Sequence, residues 1–141
     1  MHDLTAKKTA TDPKNPPKEE NWNQSFKEVI VTDAIRIFID HKNNYSIAQE
    51  SDTVYYITGG YDSFNSMVIN QFYRAVVSEE THGHYLKFDL MKSFECARSG
   101  HSSLIFENKL YLIGGNKVSK NKFVPIESVE CYDFDAKTWS V

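Results

Sequence analysis

Apolar residues in this chain come in short bursts that stop at glycine, and one burst is written twice. Leu110-Tyr111-Leu112-Ile113 runs into Gly114-Gly115, and Val54-Tyr55-Tyr56-Ile57-Thr58 runs into Gly59-Gly60. Short runs rich in β-branched and aromatic residues and closed by turn residues predict strands. Further strands are expected at Ser46–Glu50, Met67–Val77, Tyr85–Leu90, His101–Phe106, Glu127–Asp133 and Thr138–Val141. Glu107-Asn108 supplies a hairpin turn, and Met91-Lys92 a second turn before a short outer strand near Phe94.

The bursts belong to a longer repeat. The paired glycines recur 55 positions apart, from Gly60 to Gly115, and Phe94 and Trp139 recur 45 apart. On this spacing Tyr85–Asp89 answers Val129–Asp133, Phe94 answers Trp139, and Asn43–Tyr45 answer Arg98–Gly100. The path from Gly60 to Tyr85 holds an insertion. Each unit then has four strands, and its second strand is apolar on both faces, as expected of a sheet covered on both sides.

The stretch Phe26–His41 reads two ways. As a helix, Phe26, Val29, Ile30, Ala34, Ile37 and His41 share a face. As strands, Glu28–Val31 and Ala34–Asp40 flank a Thr32-Asp33 turn, and the β-branched content favours this. Residues 1–24 are polar and poor in large apolar groups, the composition of a disordered tail.

The run Arg98-Ser99-Gly100-His101, the apolar strand ending in Gly114-Gly115, Tyr132-Asp133 and Trp139 together resemble the kelch repeat family. The resemblance spans about residues 45–141 and implies an all-β protein of two four-stranded antiparallel propeller blades in an incomplete ring. The expected organisation is a tail at 1–24, a divergent first blade with an N-terminal extension at 25–95, and a second blade at 96–141. A β-branched residue at Gly114 is expected to unfold the second blade. The resemblance also implies a protein-interaction scaffold rather than an enzyme. The alternatives are a truncated fragment of a larger kelch protein without independent function and, less favoured, part of a propeller enzyme. Among relatives an Arg at the position of Arg98 reaches the rim and contacts an acidic partner. Arg98, with Ser99 beside it, is therefore a candidate contact, against the plainer reading of an Arg that ties down its own loop. Tyr61, which opens the insertion, is the third candidate.

Composition narrows the partners. The net charge of −3 offers no basic footprint for nucleic acid, and no apolar run is long enough for a membrane span. The N-terminus lacks the apolar stretch of a signal peptide, so a cytoplasmic location is expected, and Cys96 and Cys131 read as reduced thiols. His82-Gly83-His84 has no third ligand at fixed spacing, and His101 reads as a structural hydrogen-bonding residue. No metal, cofactor or catalytic residue is expected. Two blades leave open edges, so self-association is.

Overall fold

The computed structural model describes residues 29–30, 41–81 and 83–141, and these hold fourteen strands. The tail at 1–24 and most of 26–41 lie outside the described residues. Two four-stranded antiparallel meanders form the body. The first contains β3 (Ser46–Gln49), β4 (Val54–Thr58), β7 (Phe72–Glu80) and β8 (Gly83–Met91). The second contains β9 (Ser102–Phe106), β10 (Lys109–Ile113), β13 (Val129–Asp133) and β14 (Thr138–Ser140). Glu107 and Asn108 both have positive φ, as the two-residue turn between β9 and β10 requires. The first sheet has a fifth member, β1 (Val29–Ile30), which lies within the strand expected at Glu28–Val31 and pairs parallel with β8.

The register corrects the alignment of the two units. Gly59 follows Thr58, which faces Phe72; Gly114 follows Ile113, which faces Val129. The third strand of the first blade is therefore β7, in the Met67–Val77 stretch, and not Tyr85–Asp89, which belongs to the outer strand β8. Tyr132 pairs with Trp139 and Ala75 with Phe88, so Phe88 rather than Phe94 stands where Trp139 stands. At the other end, Ser46 faces Thr58 and Ser102 faces Ile113. This shifts the repeat by one residue, and Lys42 takes the place of Arg98. The extra length of the first unit lies in the nine-residue strands β7 and β8. Sequence spacing cannot reveal where an insertion falls inside a hairpin whose two strands alternate equally well.

The second strand of each blade ends in an excursion before the third. In the first blade this holds β5 (Tyr61–Asp62) and β6 (Met67–Val68), joined by β2 (Lys42–Asn43). In the second it is the hairpin of β11 (Asn116–Ser119) and β12 (Lys122–Pro125). The core lies between the blades. Phe72 is buried with its ring 5.0 Å from Tyr132 and 5.2 Å from Trp139. Tyr56 meets Phe134 at 4.8 Å. Phe94 sits in the connection between blades, fully buried and 5.5 Å from Trp139. It is an interblade wedge, not an outer-strand residue. Offset and edge-to-face rings at these separations give the interface its packing.

Candidate functional site

Arg98, the first candidate for partner contact, is fully buried, and its acidic partner lies in the same chain. Nη2 donates to Glu130 Oε2 at 2.6 Å. Nη1 donates to the carbonyls of Ser128 and Gly114 at 3.1 and 3.2 Å. Glu130 is equally buried, and its carboxylate also accepts from the backbone N–H of Glu95 and Cys96. A guanidinium spends its planar fork well on such convergent acceptors. The pair joins the interblade connection to the ends of β10 and β13. Arg98 is thus a strut, which corrects the expectation that it reaches an acidic partner at the rim.

Ser99 is corrected in the same way. It is buried, and its backbone pairs with Asn116 in both directions, N to O at 3.0 and 2.9 Å. Tyr61 is half-buried at the start of β5, with its ring 6.4 Å from Phe123 of the neighbouring excursion. Of the three candidates it alone reaches the surface. Glu130 escaped sequence reading, although a signal existed. It has the same parity on β13 as inward-facing Tyr132, and a carboxylate at an inward position calls for a buried cation.

His101 bridges the blades, its Nε2 2.8 Å from Thr58 Oγ1. Burial and the nearby Arg98 guanidinium hold its pKa down at about 4. A histidine that resists protonation only when folded makes the protein less stable as pH falls below the unfolded value of about 6.5, until the folded form also protonates near 4. We expect a loss of about 2 kcal/mol between pH 7.5 and 5. Urea melts of His101→Gln should lack most of that slope, and an unchanged slope would exclude His101 as its source.

Among the described residues no three His, Cys, Asp or Glu side chains converge as a metal site. His84 lies 3.7 Å from Glu79, while His82 is outside the described residues. Cys96 and Cys131 are half-buried and not joined to each other.

What the blades leave uncovered is apolar. On the second blade Leu110, Leu112 and Tyr132 point toward the first, and Leu104, Phe106, Tyr111, Ile113 and Val129 alternate onto the opposite face. Leu104, Ile113 and Val129 there are each about 40% exposed, at 43, 41 and 40%. By register these positions match Ala48, Thr58 and Phe72 of the first blade, all buried where the second blade covers them.

Two four-stranded meanders packed face to face, each with a glycine pair closing its second strand, define consecutive β-propeller blades. A sequence model of the Kelch motif matches residues 97–141. Alpha-scruin of Limulus polyphemus is 32% identical over 108 residues, covering 74% of this chain and 11% of that protein. The solved structure of YjhT superimposes with a TM-score of 0.53 at 17% identity, over 71% of this chain and 27% of that one. Residues 97–141 thus carry a Kelch motif, and the chain has the fold of kelch-type propeller blades. It spans only a small part of the length of either relative.

Proposed function

We propose that this chain is a non-enzymatic protein-interaction module, and that the outer face of its second blade receives a further blade of the same type. One observation carries the reading. In the first blade, a Cβ at Gly59 would run into the neighbour's loop at the Arg98 carbonyl and the His101 ring. Gly114, at the same place in the second blade, has nothing within 4 Å. The second blade carries the glycine that close approach needs, without the neighbour. Tyr111 likewise stands where Tyr56 packs onto the second blade. An apolar sheet face of this kind marks an interface. The partner is a protein; the net charge of −3 supports neither nucleic acid nor an anionic membrane as partner. The two unjoined thiols fit a reducing compartment, and we place the module in the cytoplasm.

The isolated chain should self-associate through this face. Light scattering over a concentration series should show the mass rising with concentration, and Leu104→Lys with Ile113→Lys should return it to a monomer. A wild-type chain that stays monomeric at every concentration would rule the reading out.

A further inference from the structure

We infer that two copies of this chain pair through their second blades, outer face on outer face, as a two-fold dimer that grows no further. This rests on the module reading above and adds which surface the second copy brings. A blade at either end of the pair has a face turned away from its neighbour, and only one of these faces is open at its centre. On the two middle strands of the second blade, β10 and β13, Ile113 and Val129 are 41 and 40% exposed. On the first blade, Ile57 and Ala75 of the middle strands β4 and β7 alternate with the residues that meet the second blade, and so point away from it. They are only 7 and 2% exposed. Ile47 and Leu90 are open on that side, but they sit on the flanking strands β3 and β8 with the closed centre between them.

A second copy therefore meets an open sheet centre only at the same second-blade face. A surface that meets itself forms an isologous contact, which closes after two copies. Three five-residue strands, β9, β10 and β13, and the shorter β14 lie about 4.8 Å apart and offer roughly 300 Å² of sheet per copy. That is small for a stable interface, so the dimer is weak and exchanges readily.

Charge agrees with this pairing. Lys109 and Asp133 are direct cross-strand partners at one end of β10 and β13, and every other strand position on the face is uncharged. Asp133 accepts from the N–H groups of Ala136 and Asp135 at 3.0 and 2.9 Å, and these bonds hold its pKa below the ordinary carboxylate value. A two-fold axis running along the strands between β10 and β13 lays β10 of each copy over β13 of the other. Each Lys109 then stands over Asp133 of the other copy, and Ile113 stands over Val129. One cation beside one anion makes the face complementary to itself, as an isologous contact requires.

The test is sedimentation equilibrium of the full chain over a concentration series. The wild-type mass should rise and level off at twice that of the monomer. Ile47→Lys with Leu90→Lys, which changes the open positions of the first blade, should dimerise like the wild type. Leu104→Lys with Ile113→Lys should stay monomeric. A mixture of these two variants should hold no complex between them, because only one keeps an intact second-blade face. Lys109→Glu sets like charges over one another and should weaken the dimer about tenfold, with added salt narrowing the gap. All five positions are exposed, so the variants should keep the melting curve of the wild-type monomer. A mass that climbs past two copies, a complex between the two variants, or loss of association in the Ile47→Lys, Leu90→Lys protein would mean that second blades stack on first blades. Any of these would overturn the two-fold dimer and leave the module reading standing, and so would a dimer indifferent to Lys109→Glu. A wild-type chain that stays monomeric at every concentration would remove both.

Discussion

Glu130→Ala should lower stability by about 3–5 kcal/mol, the cost of leaving a buried guanidinium without its carboxylate. Arg98 and Glu130 are 0 and 1% exposed, so water cannot replace the lost partner. The substitution also strips acceptors from the N–H groups of Glu95 and Cys96, which lie in the connection between blades. Glu130→Gln, which keeps an acceptor oxygen in place, should fall between the variant and the wild type. The double change Arg98→Met with Glu130→Leu should regain much of the loss, since apolar replacement of a whole buried pair is often neutral or better. Urea midpoints of the four proteins decide the matter. If Glu130→Ala melts with the wild type, the pair contributes nothing and the strut assignment fails.

The second large effect belongs to Gly59→Ala, not to the position that sequence alone singled out. Gly59 has φ of 59°, and an added methyl would strike the Arg98 carbonyl and come within 2.8 Å of the His101 ring. Left-handed backbone alone costs an alanine about 1–2 kcal/mol, and here the neighbouring blade must also retreat. We expect about 3 kcal/mol or more in all, in the range of severe core lesions. Gly114→Ala carries the backbone term alone, since its φ is 69° but its surroundings are open. A β-branched residue at Gly114 would be strained by the same positive φ, the backbone geometry expected there from the sequence, and would meet no neighbouring atom. Thermal melts of Gly59→Ala and Gly114→Ala should therefore separate clearly. Equal melting temperatures would mean that crowding at the blade seam does not matter.

The pattern of short apolar strands closed by glycine pairs was enough to read the all-β class and the blade architecture, because that pattern is local. The second blade was legible strand by strand, since its strands are short and its turn at Glu107-Asn108 is of the expected kind. The first blade was not. Its β7 and β8 are long and mixed in polarity, and Tyr85–Asp89 mimics a third strand so closely that only the hydrogen-bond register separates them. The contact residues failed for another reason. Arg98 carries the most polar side chain of its loop, and polarity argues for the surface unless its partner is known. That partner, Glu130, lies 32 positions away, a distance over which sequence offers no pairing rule.

The connection from the first blade to the second has an unexpected allegiance. It leads into the second blade, to which Ser99, Glu95 and Cys96 bind it, yet its backbone is bonded to the first blade as well. Arg98 donates to Ile69 and accepts from Gly60, Gly100 donates to Asn44, and the Asn70 side chain donates to the carbonyl of Phe94. Such a connection has no slack to serve as a hinge. The two blades cannot swing apart or melt one after the other without breaking this shared set of bonds, so the unit of cooperativity is the pair. In an array of such repeats each blade is completed by residues of the next, and damage to one blade is felt first by its neighbour.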